Sequence, residues 1–379
     1  MKVINTAVAG LLVAGVLATA HAAEPAAKSK YDGAEVKVLS DRSSDGLMQP
    51  MFDAFEGDTG IKIKAVFLDQ GLVARLESRP TEADMIITKD AELIELAKRK
   101  GLLAKLESPA IQTTVPAQFR DKDGEYFVDA YRARGIIVSK DRVKPGAVKT
   151  YEDLAKPEWK GKVCTRSGTH DYNIAIFDQM LKAWGDVKGR QVIQGIASNL
   201  ARVPEGGDRE QAKAIMEGVC DVALLNSYYY PRMLENKVQI KWGQATRYVF
   251  PNQDTDGAFI MRSAVALTKA TENRGAARMF AEYIVSEKVQ RLIVERSKQY
   301  SVLPGVPPHP AMVNMGAEQG LVGGRFKIHF VSLEDMADKR QDAIKFVEDI
   351  KYNNGPINVH YVNEQITNCL LYTSPSPRD

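Results

Sequence analysis

Residues 35–67 read EVKVLSDRSSDGLMQPMFDAFEGDTGIKIKAVF, and the spacing of their apolar side chains changes twice. The first residues alternate between valine and charged side chains, which predicts a β-strand, whereas residues 47–55 place apolar side chains at helical spacing. Gly57 and Gly60 then end the helix, and residues 61–67 alternate again as a second strand. The stretch therefore predicts a strand-helix-strand unit.

The alternation of strands and helices continues along the chain. Residues 72–76 predict a helix, 84–88 a strand and 92–100 a helix, so the first half is a βαβαβα run with a mainly parallel sheet covered on both faces. A second unit follows the strand-like residues 126–139, with predicted strands at 162–165, 221–225 and 258–267 and helices around 177–184, 211–217, 228–234 and 276–283. Two α/β lobes joined by extended crossing segments suit a hinged binding protein, and they also suit many two-domain enzymes. Fold alone therefore does not decide the function.

The two ends of the chain differ from the part expected to fold. Lys2, the apolar residues 8–17 and Ala20-His21-Ala22 form the pattern of a secretory signal peptide, here residues 1–22. An uncleaved membrane anchor is the competing interpretation, but the run is shorter than the roughly 20 apolar residues that a spanning helix needs. Residues 369–379, CLLYTSPSPRD, look like one reading frame of a DNA-sequencing adapter, which makes them an adapter-derived, non-native tail. We expect an exported periplasmic protein of roughly 330 folded residues, a length that suggests two lobes.

Charge and cysteine content exclude some classes of function. The 51 Lys and Arg residues nearly balance the 48 Asp and Glu residues, and the net charge of +3 is spread along the chain. This pattern does not suggest a nucleic-acid or membrane-surface partner. Of the three cysteines, Cys369 belongs to the tail, so Cys164 and Cys220 remain. In an oxidising compartment such a pair favours a disulfide over a metal site or a nucleophile.

A cluster of tyrosines is the most informative chemical feature. Residues 226–233 read NSYYYPRM, with Tyr228, Tyr229 and Tyr230 in a row. A phenol loses its proton only near pH 10 in water, so phenols gathered near arginines suit a strong Lewis acid such as ferric iron. Packing and hydrogen bonding remain the alternative interpretation. Ser227 is a predicted helix N-cap, which places the cluster at the carboxyl edge of the sheet. Successive helical side chains diverge by about 100°, so all three phenols cannot meet one ion.

Four segments carry a resemblance to one family in the expected order: YRARGIIVSKDRV (131–143), WKGKVCTRSGTHDYN (159–173), EGGDREQAKAIMEGVCDVALLNSYYYPRM (205–233) and QYSVLPGV (299–306). From about residue 35 to about residue 306, the chain resembles the periplasmic ferric-iron-binding proteins of bacterial ABC importers, a bacterial transferrin-like group. The resemblance implies an α/β, two-lobed type II periplasmic-binding-protein fold with the ligand in the interlobe cleft. It implies an amino-terminal lobe from residues 31–130 and 265–350 and a second lobe from residues 131–264. It also implies a monomeric binding component, not an enzyme, that serves an inner-membrane ABC permease.

The resemblance maps metal ligands onto three tyrosines. Tyr228 and Tyr229 match the first two tyrosines of the family's cluster, and Tyr172 matches a third ligand at the start of the helix after the cysteine strand. Arg232 matches a residue that supports the site, and Ser227 is expected beside the ligands. Ferric iron is therefore the expected cargo.

A synergistic anion such as carbonate is expected at an arginine of the crossing segment, where Arg132 is the best match and Arg134 the second. One departure from the family concerns the first-strand loop, where many members carry a His-Tyr pair and this chain has Ser43 and Ser44. A glutamate that some members use is Lys89 here. The amino-terminal lobe thus offers no obvious protein ligand. Three phenolates neutralise a trivalent ion, and a carbonate held by Arg132 would fill two further positions.

Other functions remain open at this point. A binding protein of the same fold for a polyamine, thiamine or an organic anion is the alternative, and a cationic solute would require carboxylates such as Asp41, Asp45 and Asp90. A periplasmic enzyme has little support, because no Ser-His-Asp, Cys-His or zinc-ligand spacing occurs in order.

Three further motifs have a structural and a functional interpretation. His170 favours a loop or cap position over a ligand role, because neutral imidazole suits softer divalent metals. Residues 206–208, Gly-Gly-Asp, look like a phosphate cradle but lack a following Gly-Lys-Ser/Thr, which favours a turn before a helix. Residues 167–169 either present N–H groups to an anion or simply begin a helix.

Overall fold

A computed structural model describes residues 30–42 and 44–357. The predictions made for the signal peptide, for Ser43 and for the tail at residues 369–379 lie outside the described residues. Within the described part of the chain, no helix is both long and apolar enough to cross a membrane.

The first half folds as the predicted run of strands and helices: β1 Glu35–Ser40, a π-helical turn Ser44–Met48, α1 Gln49–Thr59, β2 Lys62–Phe67, α2 Leu72–Ser78, β3 Met85–Thr88 and α3 Ala91–Arg99. α1 ends where predicted, because Gly60 takes the left-handed conformation (φ 73°) and its N–H donates to Glu56 O. β1 lies between β2 and β3 and pairs in parallel with both. The parallel arrangement predicted for these strands is confirmed.

Two long strands cross the middle of the molecule. After β4 Leu103–Ala104 and α4 Pro109–Thr114, β5 runs from Tyr126–Ser139 and is buried along its whole length. It pairs antiparallel with β9 Ala258–Thr268, and β9 pairs antiparallel with β3. The later half of β5 pairs instead with β7 Val222–Asn226 and β8 Thr246–Val249. The sheet is therefore mixed, in the order β2-β1-β3-β9-β5-β7 and then a short strand at residues 163–164.

The segment between the crossing strands forms the second α/β unit: β6 Val163–Cys164, α5 Asp171–Ser198, α6 Asp208–Met216, β7, α7 Tyr229–Glu235, α8 Ile240–Gln244 and β8, with 3-10 turns at Glu152–Ala155 and Pro157–Trp159. β6 pairs in parallel with β7. Cys164 at the end of β6 and Cys220 just before β7 form a disulfide, which confirms that prediction. Both cysteines are buried.

The remaining elements return to the first unit: α9 Arg274–Ile284, α10 Glu287–Ser297, β10 Tyr300–Ser301, α11 Pro310–Ala317, β11 Ile328–His329 and α12 Leu333–Asp349, with further 3-10 turns at Ala117–Phe119, Val322–Gly324 and Tyr352–Asn354. α12 packs against both α3 and α5 and so connects the two units. β5 leaves one set of strand partners for the other near Arg134. The lobe boundaries at residues 130/131 and 264/265 stay a prediction.

Candidate metal centre

The predicted ligand tyrosines converge because two parallel strands end at the same edge of the sheet. Tyr172 is the second residue of α5, which follows β6, and Tyr228 lies two residues after the end of β7. The two hydroxyl oxygens lie 3.5 Å apart. The ring of Tyr229 lies against that of Tyr228, with 4.2 Å between ring centroids. Tyr172, Tyr228 and Tyr229 form what we call the phenol cluster.

The third tyrosine of the row belongs to the packed interior. The hydroxyl of Tyr230 donates to Thr246 O at 2.9 Å, and its ring packs beside Tyr248. The prediction that Ser227 caps α7 is wrong. Tyr228 occupies the cap position with helical dihedral angles, and the Ser227 hydroxyl has no hydrogen-bond partner among the described residues. The chain turns into the helix one residue later than the cap motif indicated.

Burial disfavours ionisation of the phenols. Burial, together with the neighbouring phenols of Tyr172 and Tyr229, raises the pKa of Tyr228 well above its ordinary value of 10. Burial is also the main reason that the pKa of Tyr229 rises to about 12. Both phenols are therefore protonated at neutral pH until a cation replaces the proton.

Five arginines surround the cluster, and their guanidinium carbons lie 5.0 to 5.8 Å from a phenol ring: Arg132, Arg134 and Arg166 near Tyr172, Arg209 near Tyr229 and Arg232 near Tyr228. Such an arrangement disfavours a free metal cation but favours phenolates. The cluster is thus suited to a cation that is bound only after its ligands have become negative.

Arg132 joins the cluster to the first unit of the fold. It lies on β5 with 1% of its surface exposed, and its Nη2 donates to Lys89 O at 2.7 Å. Its Nη1 donates to the Ser263 hydroxyl at 3.3 Å, while Nε has no hydrogen-bond partner among the described residues. The guanidinium that lies beside Tyr172 therefore keeps a buried Nε–H without a hydrogen-bond partner.

Arg134 is committed to the protein interior. It forms a fully buried ion pair with Asp208, and its Nη2 donates to Asn173 Oδ1 at 3.0 Å. Asp208 also accepts from Arg166 Nη1 at 3.3 Å and from the N–H of Asn226 at 2.9 Å. Asp208 thus fixes two of the arginines beside Tyr172. The sequence pattern predicted Asp208 only as part of a turn, and its place directly after two glycines at a helix start was the available signal for this role.

The opposing group consists of Asp41, Lys89 and Asp90, which follow β1 and β3. Both carboxylate oxygens of Asp41 are occupied, Oδ1 by the N–H of Lys89 at 2.7 Å and Oδ2 by the Thr88 hydroxyl at 2.9 Å. Asp90 caps α3 by accepting from the N–H of Glu92 at 3.2 Å. Across residues 30–42 and 44–357, no cluster of three or more His, Cys, Asp or Glu side chains is suited to a metal ion.

The three ambiguous motifs have structural roles. His170 caps α5 through Nδ1, which accepts from the N–H of Tyr172 at 3.0 Å, and burial with the nearby charge of Arg166 lowers its pKa to about 4. Gly206 and Gly207 form the turn before α6, as predicted, and the helix begins at Asp208, one residue earlier than expected. The N–H of Gly168 donates to Asn353 Oδ1 at 2.7 Å, so this loop packs on the carboxyl-terminal part of the described chain.

Comparison with known proteins identifies the class. Residues 81–319 match the family model described as bacterial extracellular solute-binding protein. Iron uptake protein A1 of Synechocystis sp. is 31% identical over 331 residues, covering 86% of this chain and 89% of that protein. Iron uptake protein A2 of the same organism is 33% identical, covering 71% of this chain and 79% of that protein.

Solved structures agree in fold. Apo ferric ion-binding protein A of Pasteurella haemolytica superposes with a TM-score of 0.77 at 39% identity, covering 84% of this chain and 98% of that chain. Trichodesmium IdiA (FutA), solved with iron and citrate ligands, superposes with a TM-score of 0.76 at 30% identity, covering 83% and 98%.

These matches confirm the type II periplasmic-binding-protein fold and the resemblance to ferric-iron-binding proteins. They also confirm that the chain is a transport component and not an enzyme. The chain belongs to the bacterial extracellular solute-binding protein family.

Proposed function

We propose that this protein binds ferric iron in the periplasm through the phenolates of Tyr172, Tyr228 and Tyr229 and delivers it to an inner-membrane ABC permease. The observation that carries the proposal is the convergence of these phenols, with Tyr172 and Tyr228 hydroxyls 3.5 Å apart, at the ends of two parallel strands. The printed names of the relatives, which include iron uptake proteins and ferric ion-binding proteins, support the same cargo.

The chemistry of the cluster fits a hard trivalent cation. Phenolate oxygens are hard donors, and three of them balance a charge of three. The phenols sit in a largely buried place where a free phenolate is unfavourable, so a weakly acidic divalent ion gains little from them. Arg209 and Arg232 lie against the rings of Tyr229 and Tyr228 and stabilise negative charge that develops there.

We further propose that Arg132 holds a synergistic anion, carbonate or a small carboxylate, beside the iron. Its free Nε supports this role, and its charge would strengthen each hydrogen bond to the anion. Arg134 has less support as the anion partner, because Asp208 and Asn173 already occupy its terminal nitrogens. The citrate in the Trichodesmium structure shows that a carboxylate accompanies iron in that protein.

A cationic organic solute has weaker support, although a thiamine-binding periplasmic protein of Escherichia coli is 24% identical over 258 residues. Such a solute requires free carboxylates facing it. Both oxygens of Asp41 accept hydrogen bonds within the protein instead, and Asp90 is buried, with Oδ1 accepting from the N–H of Glu92 and Oδ2 lying 3.8 Å from Arg340 Nη1.

The test is a titration of the iron-free protein with ferric citrate in bicarbonate buffer, followed by the visible phenolate-to-iron charge-transfer band. Tyr228→Phe removes one oxygen and should abolish or strongly shift the band. Tyr230→Phe is the matched control, because the same change two positions along the chain removes a hydroxyl that bonds to Thr246 O. A band that survives Tyr228→Phe but is lost in Tyr230→Phe would contradict the proposed ligand set.

A further inference from the structure

A buried arginine lies on the face of the crossing strands that is opposite the phenol cluster. Arg262 on β9 directly precedes Ser263, whose hydroxyl accepts from Arg132, and successive strand residues point to opposite faces. Arg262 is only 3% exposed. Among the described residues it forms no ion pair, and its Nε has no hydrogen-bond partner.

The immediate neighbours of Arg262 are poor substitutes for a carboxylate. Its guanidinium carbon lies 5.0 Å from the ring centroid of Phe330, and its Nη2 contacts the sulfur of Met336. A buried charge is strongly unfavourable unless it is paired. Burial lowers the pKa of Arg262 to about 10, although Glu92 and Asp178 act in the opposite direction. The charge of Arg262 is therefore incompletely balanced by the protein.

Arg262 lines a cavity of about 150 Å³ together with a second arginine, Arg120. The Nε of Arg120 is also buried without a partner, and this half-buried side chain forms no ion pair with any described residue. The aromatic rings of Phe119 and Phe330 complete part of the wall. Two arginine side chains, each with an unpaired Nε, thus line one small pocket that is partly open to solvent.

The start of α12 lines the same cavity. Residues 332–334 are wall residues, and Ser332 caps the helix by accepting from the N–H of Asp335 at 3.0 Å. α12 is 17 residues long, so its first turn carries the partial positive charge of a full helix dipole. A helix start beside unpaired arginines is a favourable environment for an anion.

Three carboxylates also line the cavity, and each one has an ion-pair partner: Glu95 has Arg99, Asp121 has Lys98 and Glu334 has Lys122. Arg99 also pairs with Asp338, and Lys98 also pairs with Asp123. Glu95 additionally accepts from the Tyr126 hydroxyl at 2.9 Å. Among the described residues of the cavity wall, the charged side chains without an ion-pair partner are therefore Arg262 and Arg120.

We propose that this cavity is a second anion site, which binds one compact oxyanion, a phosphate or a small dicarboxylate, between Arg262, Arg120 and the first turn of α12. The ligand would join β9, the loop at residue 120 and α12, which are far apart in sequence. Its binding therefore stabilises the fold by mass action. The site is independent of the proposed iron site, which lies on the other face of the crossing strands.

The experiment is isothermal titration of the iron-free protein with inorganic phosphate, and in a separate arm with malonate. All measurements use an Arg132→Ala background, so that an anion bound at the proposed iron site does not contribute. We expect one bound anion per chain. Arg262→Met and Arg120→Met should each weaken its binding by roughly 10- to 100-fold, the effect of losing a charged hydrogen-bond donor. Arg291→Met is the matched control, since Arg291 is exposed and, among the described residues, pairs only with Glu287, and it should leave anion binding unchanged.

The phosphate and malonate titrations, together with the variants, distinguish the possible outcomes. Tighter binding of phosphate or of malonate identifies which oxyanion the cavity prefers, and either result supports the site. Absence of any anion binding in the Arg132→Ala background overturns the proposal, as does binding that Arg120→Met leaves unchanged. Arg120 is half-buried, so this variant keeps the test decisive even where Arg262→Met reduces folding. None of these results depends on whether the protein binds iron.

Discussion

The phenol cluster and the opposing group meet at Arg132, yet their donor atoms are in different states. In the cluster, the hydroxyls of Tyr172 and Tyr228 are nearest to each other, and no carboxylate or carbonyl is bonded to them among the described residues. In the opposing group, the oxygens of Asp41 already accept from Lys89 and Thr88. The phenol oxygens of the cluster can therefore serve as ligands to a cation. The Asp41 oxygens instead hold the loops of the opposing group together by hydrogen bonds.

This difference explains how a site can form without protein ligands from both sides. A trivalent ion that takes three phenolates still has open coordination positions, because ferric iron prefers six ligands. The opposing group does not fill them with carboxylates. Arg132, which contacts Lys89 O and lies beside Tyr172, is placed to hold an anion that does. The difference between the phenol cluster and the opposing group predicts effects on iron affinity and on protein stability.

The largest expected effect is that of pH on iron affinity. Burial raises the pKa of Tyr229 to about 12 and raises that of Tyr228 well above its ordinary value, so both carry protons from about pH 5 to about pH 8 and must release them to bind the ion. With three phenols ionising, affinity should fall by up to about 1000-fold for each unit that the pH falls. Competition against a chelator of known pH dependence measures this slope. An affinity that stays level across this range would argue that the ligands are not phenols.

The disulfide is expected to contribute to the stability of the region that carries the phenol cluster. It joins the end of β6 to the residues just before β7, and its cysteines are separated by 56 positions in the sequence. Closing a loop of that length stabilises the folded state by about 4 kcal/mol in the chain-entropy model. The Cys164→Ser/Cys220→Ser double variant should lose about that much free energy of unfolding in denaturant titrations, and the reduced wild-type protein should match it. A loss below about 0.5 kcal/mol, the size of ordinary surface substitutions, would show that packing alone holds these strands.

A smaller effect should distinguish the side chains that ligate the iron from those that only lie near it. Tyr172→Phe should weaken iron binding by more than the roughly 10- to 100-fold that loss of an outer-shell partner causes, because it removes a proposed ligand. Asp41→Asn should leave the charge-transfer band in place, since both Asp41 oxygens already serve the first unit. Equilibrium dialysis with the two variants side by side measures both affinities. Equal losses would indicate that the opposing group contributes a ligand after all.

Local patterns were sufficient for much of this molecule. The change of apolar spacing predicted β1 to α3, and Gly60 ends α1 where its position indicated, because helices and strands leave their period in neighbouring residues. The proximity of Tyr172 to Tyr228 could not be predicted from local patterns. The sequence separation between them carries no local pattern, and it was the family resemblance that implied they meet.

Other features depended on contacts that no local pattern records. The antiparallel pairing of β9 with β3 joins residues far apart in sequence, so a mainly parallel sheet was the expectation for the first run. The ion pair of Asp208 with Arg134 is equally non-local. Ser227 shows a different limit, since the cap motif was present but Tyr228 adopted helical dihedral angles and left the serine hydroxyl unused.

The smallest and most specific effect should come from Arg132. Arg132→Ala should weaken iron binding by roughly 10- to 100-fold in bicarbonate buffer, and Arg132→Lys should recover only part of the loss because lysine lacks the planar fork of donors. Arg132 is buried and bonded to Lys89 O, so its removal also lowers stability, and affinity alone does not separate the two roles. The deciding measurement is therefore bicarbonate dependence. Wild-type affinity should fall when bicarbonate is stripped, whereas the affinity of Arg132→Ala should no longer respond. An alanine variant that still responds to bicarbonate as the wild type does would show that Arg132 only supports the fold and that another residue holds the anion.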